Sequence, residues 1–172
     1  MKLDSQEVLS ELTRLARIAS GLVDGEDVKQ IITEHAMTNI AKPDTRYRFL
    51  SADHYDVEHA PFLRMKKLLM RIERLANVVV NGAIWVRVPE TDAVTVALHN
   101  GPHHRYYQFG SLQRQMPPEM KRAFETGETV AAPRSDDDTH AAVLAPIRDS
   151  LQDIVGVVEL TAPLDPDAPA WS

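Results

Sequence analysis

The chain contains no cysteine. That removes disulfides, thiolate nucleophiles, thiol-ligated zinc and thioether-linked chromophores together, since each needs the sulfur of that one side chain. No apolar run approaches the ~20 residues a helix needs to cross a bilayer. Positive charge is also scarce: 19 Lys and Arg against 25 Asp and Glu give a formal net charge of −6 and a pI near 5.6. This balance argues against global attraction to nucleic acid or to an anionic membrane. There is no Ser nucleophile elbow, no phosphate-cradling glycine loop, no HExxH, no calcium loop of the form D-x-[DN]-x-[DN]-G and no internal repeat. The N-terminus, MKLDSQEVLSELTRL, is amphipathic and acidic rather than a basic stretch followed by an apolar block, so it does not read as a secretory signal. The expectation is a soluble cytoplasmic protein. At 172 residues and 44% hydrophobic, it is long enough to bury a full core as one domain with an appendage.

What is present reads as helical in the N-terminal half. Val8, Leu12, Leu15, Ala16, Ala19 and Leu22 recur at helical spacing, which predicts one amphipathic helix over 5–22 capped by Asp4 or Ser5. Gly21 and Asp24-Gly25 break it, and a second helix is expected from about Glu26, with Val28, Ile31, Ile32 and His35 on one face, ending before Pro43. Residues 41–58 are polar and aperiodic and read as a loop. Phe62, Met65, Leu68, Leu69, Ile72, Leu75 and Ala76 trace the clearest apolar stripe, opened by Pro61. Its other face carries Arg64, Lys67, Arg71 and Arg74. Four cations there suit either a solvated face balanced by acids elsewhere or a docking surface for an acidic partner.

The C-terminal half reads as sheet. Ile84, Val86 and Val88 alternate with Trp85 and Arg87, Pro89 to Asp92 turns the chain, and Val94, Val96 and Leu98 alternate with Thr95, Ala97 and His99. This is a hairpin of period-two strands. Residues 103–116 are irregular and aromatic. Pro117-Pro118 opens a short helix through Met120 and Phe124 that Gly127 stops. A short strand over 129–132, a charged loop over 134–140 and a closing hairpin from Ala142 to Leu160 follow, with a Pro/Asp tail after Pro163. The order predicts an α+β fold, an antiparallel sheet flanked by helices with an N-terminal helical extension.

The element order from Phe62 to Leu160 resembles a GAF domain, the small-molecule sensor relative of PAS. Three segments carry the resemblance: RIERLANVVVNGAIWVRVPETDAVTVALHNG, FETGETVAAP and LAPIRDSLQDIVGVVELTAP. LTRLARIASGLVDGEDVKQIITEHA is similar to the family's leading helix. The stretch between that helix and the first strand is either an insertion or the sign of an extra element. The division expected is 1–58 as a helical region, 59–162 as a GAF-like domain and 163–172 as a loose tail. The resemblance also excludes. Members that reduce free methionine sulfoxide need cysteines and bilin-binding members attach their chromophore through one, while the Asn-Lys-X-X-X-Phe-X-X-X-Asp-Glu signature of cyclic-nucleotide binders is absent.

Candidate site residues gather after the first hairpin. His99, His103 and His104 could supply metal ligands, but adjacent extended histidines point apart and no carboxylate stands near in sequence, so the expectation is no metal. Three consecutive aspartates, 136–138, with His140 read as a solvated turn rather than a cation loop. Trp85 and Arg87 share the strand face opposite Ile84 and Val86, where packing against the N-terminal helices or lining of a pocket is expected. The resemblance places the 99–116 segment over a ligand pocket, which implies Trp85, His99, His104, Arg105, Tyr106, Tyr107 and Phe109 as ligand-binding residues, with Arg105 meeting an anionic group. The function expected is a non-enzymatic sensory or regulatory GAF-like domain. It would bind an unidentified small molecule non-covalently and signal through helix-mediated association as a homodimer or with a signalling protein, its cofactor unknown. A protein-interaction or dimerisation module with a vestigial pocket is the alternative.

Overall fold

The computed structural model describes residues 4–41, 57–100, 113–133 and 140–164. Five helices and six strands follow in the order α1 (Ser5–Leu22), α2 (Gly25–Ile31), α3 (Glu34–Ala41), α4 (His59–Glu73), β1 (Asn81–Arg87), β2 (Ala93–His99), β3 (Gln113–Gln115), α5 (Pro118–Thr126), β4 (Val130–Pro133), β5 (His140–Arg148) and β6 (Ile154–Pro163). The strands form one antiparallel sheet ordered β3-β2-β1-β6-β5-β4. The expected α+β arrangement, an antiparallel sheet flanked by helices, is therefore present.

Local chemistry explains the helix ends. Asp4 Oδ1 accepts from the Glu7 amide and Glu7 Oε2 accepts from the Asp4 amide, both at 2.8 Å, so two otherwise unsatisfied donors at the start of α1 are met reciprocally. The segment read as one helix from Glu26 is two. Ile32 is extended (φ −89°, ψ 123°) and bridges Val57. The Thr33 hydroxyl then accepts from the Ala36 amide at 3.1 Å, starting α3 afresh. Here a long-range backbone pairing and a cap override a continuous apolar pattern. Gly127 closes α5 in the left-handed region at φ 69°, as its position after Thr126 suggests. Residues 113–115, read as irregular, pair with 93–95 as a short edge strand. Their Gln-Arg-Gln sequence carries no strand pattern, so only the pairing defines them.

One face of the sheet carries α1, α2 and α4. Leu12, Leu15 and Ala19 of α1, Ile31 of α2, and Leu69 and Ile72 of α4 pack on Ile84, Leu98, Val143, Ile147, Val158 and Leu160, all at 0–1% exposure. The helices of residues 1–41 thus contribute to the same core as the sheet. The β5–β6 turn is fastened to α2. Gly25 lies so close to Arg148 that any Cβ would meet its backbone oxygen. The buried Asp149 carboxylate accepts from Lys29 Nζ at 3.0 Å and from the amides of Leu151 and Asp153 at 2.9 and 3.0 Å. The Lys29 ammonium, then the two amides, hold this carboxyl below the usual carboxylate range. On the outer side of α4, Arg64 is bound by both oxygens of Asp27, an acid from a neighbouring helix, whereas Lys67, Arg71 and Arg74 are exposed. No described helix is long and apolar enough to cross a membrane.

The passage from α4 into β1 is set by Glu73, whose Oε1 accepts from the Gly82 amide at 2.8 Å. Burial pushes its carboxyl above the usual range, with the Gly82 amide and the neighbouring Asn100 opposing in part. A raised value means that the folded chain holds this proton more tightly than the unfolded one. The resulting stabilisation is complete below the ordinary carboxylate range and is lost as pH rises through the raised value. Glu73→Gln keeps an acceptor for Gly82 and removes the charge. In urea melts from about pH 4 to pH 7.5, its stability relative to the wild type is expected to grow with pH and to match or exceed it at neutrality. A difference that is flat or falls with pH contradicts this assignment.

Candidate functional site

The opposite face of the sheet is built from the alternate strand residues, because cross-strand partners in an antiparallel sheet share a face. The register fixes which they are. Asn81 lies opposite Thr161, Ala83 opposite both His99 and Glu159, and Trp85 opposite Val96 and Val157. Leu144 lies opposite Glu159 and Ala142 opposite Thr161, with His140 opening β5 two residues before Ala142.

This face has two halves of different chemistry. Near the β1–β2 turn it is apolar and closed by α5, where Trp85, Val94, Val96, Leu144 and Val157 pack against Met120, Ala123 and Phe124. The Arg87 guanidinium carbon sits 4.6 Å from the centroid of the Phe124 ring. The face carrying Trp85 and Arg87 packs against α5 and not against the N-terminal helices, which cover the other face of the sheet. Toward the start of β1 the same face turns polar, with Asn81, His99, Glu159, Thr161 and His140 lying across four strands at one end of the sheet. Three of them are buried, with exposures of 7% for Asn81, 6% for Thr161 and 8% for His140.

Trp85 marks the boundary. Its ring is 1% exposed within the apolar half, and its Nε1–H donates to Glu159 Oε2 at 2.7 Å in the polar half. The bond ties a neutral donor to a charged acceptor across two neighbouring strands, which makes it stronger than a neutral pair. Thr161 Oγ1 lies 3.5 Å from the Asn81 carbonyl oxygen, while the buried Asn81 Nδ2 has no acceptor among the described residues. An amide donor left in this state costs free energy until something accepts from it. The arrangement offers hydrogen-bond donors and acceptors in a row beside an aromatic floor.

Of the residues expected to bind a ligand, the structure brings Trp85 and His99 to this face. His104, Arg105, Tyr106, Tyr107 and Phe109 lie outside the described residues, in the segment that leaves β2 at Asn100 and returns at Gln113. His103 and Asp136 to Asp138 also lie outside them. Among the described residues no group of three or more His, Asp and Glu is placed to hold a metal ion. The sequence offered no reading of Asn81, Glu159 and Thr161 as site residues, and His140, read there as part of a solvated turn, is instead buried at the start of β5. One signal was available: Val157, Glu159 and Thr161 alternate within an otherwise apolar strand, and Glu159 is its only charged residue.

No family model and no curated protein matches the chain. Among solved structures, the nlh2 GAF domain of A. aeolicus in an inactive state is similar over 80% of this chain and 80% of that one, at 14% identity and a TM-score of 0.40. A second GAF domain structure is similar over 87% and 81%, at 14% identity and a TM-score of 0.45. An IclR homologue from Microbacterium hydrocarbonoxydans, complexed with 4-hydroxybenzoate, is similar over 70% of this chain and 65% of that one, at 13% identity and a TM-score of 0.42. These likenesses concern the arrangement of sheet and helices alone.

The Trp85–Glu159 bond generates a direct test. Glu159→Ala removes the indole's acceptor inside the sheet and is expected to cost about 1–3 kcal/mol of stability in denaturant unfolding. Glu159→Gln, which retains an acceptor oxygen, is expected to cost clearly less. Equal losses in the two variants contradict the bond as described.

Proposed function

We propose that this chain is a non-enzymatic sensory or regulatory domain of the GAF type. It binds a small molecule non-covalently against the polar half of the α5-side face of its sheet, with the 99–116 segment alongside. The observation that carries this reading is the buried row of Asn81, Thr161 and His140, continued by Glu159 and His99. Burying polar side chains costs free energy unless partners satisfy them, and the other face of the same sheet shows that this chain packs strands with Ile, Leu and Val where nothing else is required. In this half-face the buried Asn81 Nδ2 has no acceptor among the described residues, and a ligand's complementary group would offset that cost.

The proposed route of output is mechanical. The helix α1 packs on β5 and β6 from the other side, and these strands carry His140, Glu159 and Thr161. A ligand that favours one setting of those strands favours one setting of α1. Association through the helices, as a homodimer or with a signalling protein, then reads that setting. The exposed Leu22 of α1 and Leu63 and Met70 of α4 are apolar side chains available for it. The second reading, an interaction module with a vestigial pocket, draws on the other half of the face, which Trp85, Met120 and Phe124 fill.

Thermal-shift screening against nucleotides, amino acids, haem and linear tetrapyrroles separates the two. Binding at a hundredfold excess over Kd stabilises a fold by about 2.7 kcal/mol, a rise in Tm of about 5 °C or more for a chain of this size. At least one class is expected to give such a shift, and Glu159→Gln to reduce it. A flat response across the panel overturns the ligand reading and favours the interaction module.

A further inference from the structure

A separate concavity of about 430 Å³ opens on the far side of the molecule from the polar row, between α2, α3 and the β1–β2 turn. Its apolar wall comes from Ile32, Met37, Ala41 and Pro89. Among the described residues, its charged ones are Lys29, Glu34 and Glu90. The lysine is already committed, since its ammonium lies 2.8 Å from Glu26 Oε2 and 3.0 Å from Asp149 Oδ2. The Glu34 and Glu90 side chains make no hydrogen bond or ion pair among the described residues, which leaves both carboxylates available to a cation. Glu90 holds a further peculiarity. It sits in the left-handed region at φ 60°, where glycine or asparagine is at ease and a longer side chain is strained. The turn around it is pinned by the Thr91 hydroxyl, which donates to the Val88 carbonyl at 2.9 Å.

From these observations we infer a second binding site, distinct from the polar row, for an organic ammonium ligand: a primary amine on an apolar body. The volume lies within the range of small-molecule sites. Two carboxylates at the rim meet the ammonium, and Ile32, Met37, Ala41 and Pro89 cover the apolar body. The net charge of −6 favours the approach of such a cation. The bound state sets α2 and α3 against the β1–β2 turn, and α2 is the helix that Asp149 fastens to the sheet.

The test uses the full chain and three probes of one shape: 2-phenylethylammonium, the neutral 2-phenylethanol and the anionic 3-phenylpropionate. Two-dimensional amide NMR is expected to show saturable shifts with the ammonium probe alone at Thr38, Ala41 and Val88 to Thr91, and none at Asn81 or Glu159. Each of Glu34→Gln and Glu90→Gln is expected to weaken binding about two- to fivefold and the pair about tenfold or more, in the range of exposed ion pairs, with further weakening as salt rises. Both positions are exposed, so the variants should retain the fold. Equal response to the three probes, no response to any, shifts centred on Asn81 and Glu159, or full binding in the double variant each overturns the proposal.

Discussion

The ladder between β1 and β6 is the contact on which the rest of the structure depends. It pairs Asn81 with Thr161, Gly82 with Leu160, Ala83 with Glu159, Ile84 with Val158 and Trp85 with Val157. The residues paired are distant in sequence, so closing that loop costs chain entropy that the pairing and the packing on it must offset. Without it the chain would hold two separate three-stranded pieces, β3-β2-β1 and β6-β5-β4, each with an open edge. With it, one register simultaneously sends Ile84, Val158 and Leu160 to the helix-covered core and Trp85, Val157 and Glu159 to the other side. A slip of one residue would invert both sets.

The two faces that this ladder creates serve different ends. The face under α1, α2 and α4 is apolar apart from Thr95, which lies opposite Val86, and is fastened at its far corner by Asp149, Lys29 and the close approach of Gly25 to Arg148. The face under α5 is apolar only as far as Trp85 and polar beyond it. That second half carries buried polar groups instead, and one of them, the Asn81 Nδ2, has no acceptor among the described residues. A scaffold with one face optimised for packing can tolerate such a compromise on the other, which is the usual relation between a fold and the site it carries.

Much of this was legible in the sequence where local physics decides. The cap at Asp4, the apolar period of α1 and α4, the alternation of Ile84 to Leu98, and Gly127 after α5 each specify an element from a few neighbouring residues. What escaped depends on contacts distant in sequence. The break at Ile32 is visible only once Val57 is placed beside it, and β3 exists because Gln113 to Gln115 meet β2. For the site, the aromatic and histidine content of the 99–116 segment drew attention to Trp85 and His99. Asn81, Glu159, Thr161 and His140 come from three strands that only the sheet register brings together. Of these, Glu159 alone announced itself, as one acid at an alternating position in an apolar strand.

The central claim is that the polar half-face accommodates a small molecule held without a covalent bond. Native mass spectrometry of the full chain, purified gently and then compared with the same sample after denaturation, tests this most directly. The account predicts a discrete mass above that of the polypeptide under native conditions, lost on denaturation and diminished in Glu159→Gln. The bare polypeptide mass, or multiples of it, in every preparation and also after incubation with the nucleotide, amino-acid, haem and tetrapyrrole panel would contradict it.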